Sequence, residues 1–414
     1  MGHRWGQILW NHYGITAVLT IFALSGCVTK TVRVVDMTPP AQASFELAEE
    51  DLLDVGISIF DANIPEDYDE RIRLVVMPEV RRAEAQYIPY FAKNMLQSTG
   101  NWGAVRVVPR PTDAVDVIIE GKIISSDGES LLVEMQVKDA TGKVWFNKPY
   151  SALASKYAYE DGMPPNIDAF QAVYKELAND MLAYREQLTS EDVTKIRTTA
   201  EMKFARAFSQ EAFAEHVVET KPNEYQIVRL PSPQDPMLAR VRKIREREYL
   251  FIDTLDDYYS KFHSQMYPSY QDWRRATYDE AIAQKALRAQ AKQRMLGGTM
   301  AIIGGVGSIY QSDNAYVDAS GIIGVIAGTT LIASSIQKRH EAEQQADRLR
   351  ELGTAAEAEL VPTTIELENQ TARLQGTVDQ QYTQLRKILK RLYFEDLGLS
   401  PDDPDVDTDS KTEE

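Results

Sequence analysis

The chain has 414 residues, with 45 Lys and Arg against 62 Asp and Glu, which gives a formal net charge of −17 at pH 7. A negative surface repels phosphate, so this charge argues against a general nucleic-acid-binding protein. The single cysteine excludes an intrachain disulfide, and a hydrophobic content of 43% is typical of a globular chain, not of a polytopic membrane protein or collagen.

The N-terminus has the organisation of a targeting segment. Residues 14–26 contain no charged side chain and follow a short segment that contains Arg4. An apolar run of this length is too short to cross a bilayer, which takes about 20 residues. A short positive segment, a short apolar segment and small residues at its end therefore predict a cleavable signal peptide over residues 1–26.

The residues that follow, Leu24-Ser25-Gly26-Cys27, resemble the lipobox of bacterial lipoproteins. The resemblance implies cleavage before Cys27 and a diacylglyceryl thioether on its sulfur, so that membrane lipid becomes a partner of the chain. Val28 occupies the sorting position. By analogy with enteric bacteria, where Asp after the cysteine retains lipoproteins at the inner membrane, Val28 favours the periplasmic side of the outer membrane. The alternative is a buried core cysteine behind an ordinary signal peptide.

Residues 27–70 are predicted to form a lipid-anchored tether, and residues 71–160 a small α/β domain. Strand-like runs cover residues 72–77, 105–108, 115–124, 131–138 and 144–150, and residues 88–96 between the first two have helical spacing. Asp127-Gly128 between two β-rich runs indicates a hairpin. The predicted order is β-α-β-β-β, and the predicted fold class is α+β.

Two segments of this domain resemble a family of periplasmic domains. They are Val75–Val80 (VVMPEV) and Asp116–Gly121 (DVIIEG). The family occurs in the curli secretion channel lipoprotein, in lipoprotein activators of peptidoglycan synthases and in the Tol-system propeller protein. In those proteins the domain serves assembly and docking, so the resemblance implies that it binds an envelope protein partner.

The chain after the α/β domain is predicted to be mainly helical. Residues 161–220 form a helical segment, with a helix starting near Thr189, and residues 221–236 form a Pro-rich linker that marks a domain boundary. Residues 237–360 form a second helical region. Its aromatic residues over 249–278 are expected in a core, with a sugar-stacking platform as the alternative.

A glycine-rich helical hairpin over residues 296–336 is the most unusual feature of the sequence. Two uncharged apolar stretches, 296–310 and 319–336, flank a polar turn at 311–314. Glycine costs about 1 kcal/mol per position in a helix, and close packing compensates for that cost. We therefore assign membrane or oligomer contact to the glycines Gly304, Gly305, Gly307, Gly321, Gly324 and Gly328.

Three arrangements of this hairpin stay open at the level of sequence. It packs against itself or a second copy as a homo-oligomer, it inserts partly or wholly into a membrane, or it is buried within its own chain. Contact with a membrane or with partner helices is favoured. Further on, residues 361–399 are predicted to form a β-hairpin plus helix with a capping box at Thr377 and Gln380, and residues 400–414 a disordered acidic tail.

No pattern in the sequence predicts a catalytic, metal-binding or cofactor-binding residue. His216, His263 and His340 are isolated, and neither an HExxH nor a G-x-S-x-G motif is present. We therefore expect a non-enzymatic, lipid-anchored envelope protein that tethers and docks or assembles a partner complex. The alternatives are a subunit of an envelope secretion or export channel, and a protein that binds or acts on cell-wall glycan.

Overall fold

The computed structural model describes residues 38–43, 48–74, 76–159, 167–305, 363–367 and 370–398. Cys27, Val28, Gly307, Gly321, Gly324, Gly328 and the acidic tail lie outside the described residues. The helices are α1 (Tyr68–Leu74), α2 (Pro78–Ser98), α3 (Gln171–Arg185), α4 (Ser190–Phe208), α5 (Gln210–Phe213), α6 (Pro236–Gly305) and α7 (Val378–Asp396). The strands are β1 (Val55–Ser58), β2 (Val105–Val108), β3 (Val117–Ser126), β4 (Ser130–Asp139), β5 (Val144–Leu153), β6 (Val217–Lys221), β7 (Glu224–Ile227), β8 (Thr363–Leu367) and β9 (Gln370–Leu374).

A mixed five-stranded sheet in the order β2-β1-β3-β4-β5 forms the centre of the fold. β1 pairs in parallel with both β2 and β3, whereas β3, β4 and β5 form an antiparallel meander. Side chains alternate along β4, and every second one, from Leu131 to Asp139, is buried. Helices α2 and α3 cover that face of the sheet. The α+β class is therefore as predicted.

The first strand of the sheet is not where the sequence analysis placed it. Residues 72–74 belong to helix α1, which starts where Asp67 accepts a hydrogen bond from the Glu70 amide. Residues 76–77 are not part of a strand, and Pro78 then begins α2. The first strand is instead β1, which lies within residues 27–70, the range assigned to a tether. Its four residues are all buried, so the sheet domain begins before residue 71.

Helix α6 connects the regions that the sequence analysis treated as separate. Its N-terminal half shares one hydrophobic cluster with β2, α4 and α7, and residues 262–273 share a second cluster with the sheet, α2 and α3. The predicted linker 221–236 contains β7 and ends where α6 begins. It is therefore not a boundary between independent domains, because apolar side chains on both sides of it pack together.

The predicted helix start at Thr189 and the C-terminal module are confirmed. Thr189 and Asp192 form a capping box at the start of α4, and Thr377 and Gln380 form one at the start of α7. The hairpin β8–β9 precedes α7. None of the helices in the described residues has an apolar stretch long enough to cross a lipid bilayer.

Candidate functional site

Helix α6 lies antiparallel to α2 along the body of the molecule. The contacts run in opposite directions along the two helices: Lys93 with Asp256, Tyr90 with Ser260, Glu84 with Tyr270, and Met77 with Trp273. The N-terminal end of α2 therefore lies beside the point where α6 passes Trp273. From there α6 continues to Gly305.

A buried charge cluster fixes α6 at this end of α2. The Arg274 cluster consists of Arg274, Asp168, Tyr270, Glu84 and Ser126, and the first four of these residues are 0% exposed. Arg274 Nη1 donates to Asp168 Oδ2 at 2.7 Å, and Arg274 Nη2 donates to the Tyr270 hydroxyl at 2.8 Å. The hydroxyls of Tyr270 and Ser126 each donate to Glu84 Oε1 at 2.5 Å. The cluster thus joins α6 to α2, to β3 and to the turn before α3.

The electrostatics of the cluster favour the ionised pair. Burial by itself lowers the pKa of Arg274, but the Asp168 carboxylate and nearby tyrosines raise it well above its ordinary value. Burial also raises the pKa of Tyr270 well above its ordinary value. Arg274 therefore stays charged and Tyr270 neutral at physiological pH, which keeps the ion pair and its hydrogen bonds in place.

The turn between β3 and β4 packs directly against the backbone of α6. A Cβ atom on Gly128 would lie 2.2 Å from the carbonyl oxygen of Arg274 and 2.4 Å from the amide nitrogen of Tyr278. Glycine is required here because only a residue without a side chain allows that approach. The Tyr159 hydroxyl donates to the Gly128 carbonyl at 2.7 Å and fixes the turn from the other side.

A second buried cluster joins the N-terminal half of α6 to the C-terminal module. Glu248 on α6 is 0% exposed and accepts hydrogen bonds from the Tyr382 hydroxyl and, at 3.1 Å, from Thr112 Oγ1. Arg386 Nε lies 3.9 Å from Glu248 Oε2. We call these four residues the Glu248 cluster. Helix α7 is thereby attached to α6 and to the loop after β2.

A third feature is a short N-terminal strap, residues 38–43, bound along α3. The amides of Ala41 and Ala43 donate to the side-chain oxygens of Asn179 and Asn101, at 2.8 and 3.0 Å. Lys175 Nζ donates to Thr38 Oγ1 at 2.7 Å. The strap shows that the chain is already bound to the body by Thr38, long before the predicted end of the tether at residue 70.

The charged groups of the Arg274 cluster are buried and out of reach of a substrate. Arg274 Nε and Glu84 Oε2 make no hydrogen bond, although both atoms are buried. Within the described residues, no group of three or more His, Cys, Asp or Glu side chains is arranged to hold a metal ion. His263 stacks between Tyr87 and Tyr90, and burial lowers its pKa to about 4, so it is neutral at pH 7.

The predicted glycine contacts fall at or beyond the end of the described helix. Gly304 and Gly305 are the last two residues of α6, and the other four predicted glycines lie outside the described residues. The core assignment of the α6 aromatic residues over 249–278 is confirmed for the five that are buried: Phe251, Tyr259, Phe262, Tyr270 and Trp273. The other four, Tyr249, Tyr258, Tyr267 and Tyr278, are half-buried.

Sequence reasoning missed both buried clusters, although the sequence contained a signal for them. Phe262, Met266, Tyr270 and Trp273 form an apolar stripe at helical spacing, and Arg274 follows Tyr270 at i+4 on the same face. A charged residue on an apolar stripe indicates a buried pair. Nothing in the sequence identified Asp168 as its partner, since the two residues meet only through folding.

Comparison with known proteins finds no matching family model, no matching curated protein and no matching solved structure. The resemblance to periplasmic docking domains therefore stays a prediction.

Proposed function

We propose that this protein is a non-enzymatic, lipid-anchored envelope protein that tethers and docks or assembles a partner complex at the periplasmic face of the outer membrane. The observation that carries the proposal is the attachment of α6 to the body. Two buried charge clusters and two hydrophobic clusters hold the sheet, α6 and α7 as one unit. Such a body suits a protein that presents a rigid docking surface to a partner.

Further support comes from the kind of polar contacts that the described residues make. Their most buried charges, in the Arg274 and Glu248 clusters, join elements to one another and face no solvent. An enzyme needs reactive groups within reach of a substrate. A body built around inaccessible ion pairs is better suited to positioning partners than to turnover.

The first test compares the full-length wild type with Cys27→Ser, both expressed in bacteria. We expect the mature wild type to begin at Cys27 and to carry the added mass of acyl chains, and the variant to stay uncleaved and unacylated. Intact-mass and N-terminal peptide analysis of membrane fractions measures both. A mature chain that begins elsewhere with a free thiol would remove the anchor and the proposal with it.

The two alternative functions, a subunit of an export channel and a protein that acts on cell-wall glycan, are tested with the same purified wild-type protein. A ring-shaped oligomer in detergent would favour a subunit of an export channel. Release of soluble fragments from purified peptidoglycan would favour a cell-wall enzyme. We expect neither ring formation nor glycan cleavage, and Cys27→Ser serves as the control for effects that depend on the anchor.

A further inference from the structure

Strand β5 forms one edge of the central sheet, with β4 on one side and no strand on the other. Helix α3 packs on the buried face of this strand, where the Tyr150 hydroxyl donates to Asp180 at 2.7 Å and Trp145 stacks on Tyr184. β4 and α3 are the described elements that make extensive contact with β5. The second edge of the strand is therefore open in the part of the chain that the structure describes.

The register of β4 and β5 shows which backbone groups of β5 point outward. Ser130 pairs with Leu153, and the Ala154 amide donates to the Glu129 carbonyl at 2.8 Å. Hydrogen-bonded and non-hydrogen-bonded pairs alternate along an antiparallel ladder, so only every second residue of β5 bonds to β4. The backbone polar groups of the alternate residues point away from the sheet and form what we call the open edge. These residues are Asn147, Pro149, Ser151 and Leu153, and all four are exposed.

The opposite edge of the sheet, at β2, is covered by helix α6. Arg106 on β2 binds Asp253 of α6 at 2.6 Å and stacks on Tyr249. Both hydrophobic clusters contain residues of β2 and of α6, so the helix packs along this strand from both faces of the sheet. The five-stranded sheet can therefore add a strand at β5 and not at β2.

We propose that the open edge pairs antiparallel with the open edge of a second copy of this chain, so that the two sheets become one continuous sheet. Two identical strands related by a two-fold axis in the plane of the interface run antiparallel, as a β5–β5 pair requires. Since each sheet has one edge to offer, the assembly closes as a dimer and does not grow into a fibre. This inference goes beyond the proposed function and does not depend on acylation of Cys27.

The charges at the open edge allow two copies to approach. None of its four residues is charged, whereas natural sheet edges commonly carry charged side chains that prevent pairing. The lysine within the strand, Lys148, forms an ion pair with Asp180 of α3, and its Nζ lies 4.9 Å from the centre of the Tyr150 ring. Because this charge is balanced within its own chain, like charges do not oppose each other across the pair.

Pro149 selects the register of the pair, because it has no amide hydrogen to donate. A register that places Pro149 opposite itself leaves both Pro149 carbonyls without a donor at the centre of the interface. Pairing of Pro149 with Ser151 of the second copy, and of Asn147 with Leu153 of the second copy, supplies each carbonyl with an amide. This register places the two-fold axis at Tyr150 and gives about six main-chain hydrogen bonds between the copies.

The test uses the full-length protein in detergent and changes only the outward backbone of β5. Ser151→Pro removes an outward amide donor and leaves the bonds between β4 and β5 in place, since Ser151 does not bond to β4. Ser151→Ala keeps the amide and is the matched control. We expect sedimentation analysis to show a dimer for wild type and for Ser151→Ala, and a dimer dissociation constant at least tenfold higher for Ser151→Pro.

A second measurement does not depend on the proline variant. The photoreactive residue benzoylphenylalanine replaces Ser151 or, as a control, the exposed Ser98, and the membranes of the expressing bacteria are irradiated. We expect a crosslinked dimer from position 151, with the link joining the β5 strands of two copies, and none from position 98. A monomeric wild type, a dimer linked elsewhere, or equal dissociation constants for Ser151→Pro and Ser151→Ala would overturn the inference. A crosslink from position 151 only to a different protein would also overturn it.

Discussion

Protonation of one buried side chain, Asp116, makes the stability of the protein depend on pH. Its carboxylate accepts a hydrogen bond from the Asp54 amide at 2.9 Å and lies 3.8 Å from Arg245 Nη2, yet it is only 4% exposed. Burial outweighs both contacts and raises its pKa to about 6. The folded chain therefore retains a proton on Asp116 that the unfolded chain has already lost near pH 4.

We predict that Asp116→Asn removes part of the pH dependence of stability. Between about pH 4 and pH 6 the folded state binds more protons at this site than the unfolded state, so the free energy of unfolding falls as pH rises. The fall amounts to about 3 kcal/mol for a pKa difference of about two units. An asparagine accepts the same hydrogen bond without a charge, so the variant should gain stability relative to wild type as pH rises, and urea unfolding from pH 4 to pH 7.5 measures the gain.

Comparison of the variant with wild type separates the contribution of Asp116 to the pH dependence of stability from that of His263. The lowered pKa of His263, about 4, makes folding more favourable as pH rises through the same window, which is the opposite sign. That contribution is common to both chains and cancels in their difference. Asp257→Asn, at an exposed position of α6, is the control. Curves for Asp116→Asn and wild type that stay parallel across the window would contradict the prediction.

At the scale of elements, the fold depends on how α6 is attached. Helix α6 has 70 residues, and intrinsic helix propensity contributes little to its stability, because most helical stability in proteins comes from tertiary packing. The Arg274 cluster adds a specific connection near the N-terminal ends of α2 and α3. Removal of one partner from a buried ion pair leaves an uncompensated charge, which costs far more than the intact pair contributes.

We predict that Asp168→Asn destabilises the protein by about 3–5 kcal/mol, because Arg274 then lies buried without its carboxylate. The measurement is the shift in urea midpoint at pH 7, followed by circular dichroism. Asp272→Asn makes the same change at an exposed position two residues before Arg274, and we expect it to shift stability by less than about 0.5 kcal/mol. Equal effects of the two variants would show that Asp168 does not hold α6.

At the scale of the whole molecule, the strap limits the segment that could act as the predicted tether. The sequence analysis allowed a tether up to residue 70, whereas Thr38 and Ala41 of the strap already contact α3. A tether that starts at the proposed lipid anchor Cys27 would therefore end by Thr38, 11 residues further along the chain.

Local patterns determined much of this protein in advance. Several features depend only on residues that are close in the sequence, and the sequence therefore predicts them. They are the amphipathic spacing of α2, the alternation of β4, the Asp-Gly turn, and the capping boxes at Thr189 and Thr377. The resemblance of Leu24-Ser25-Gly26-Cys27 to a lipobox and the uncharged stretch from Leu296 are equally local, and the proposed function begins from them.

Only the tertiary structure decided which distant residues meet. β1 has four residues in an acidic context and gains its stability as an inner strand between β2 and β3, so no local pattern marks it. Asp168 and Arg274 are 106 residues apart, and Thr38 and Lys175 are 137 apart. The pairing of such residues depends on the packing of whole elements, because a buried charge or a bound strap is stable only where another element supplies its partner.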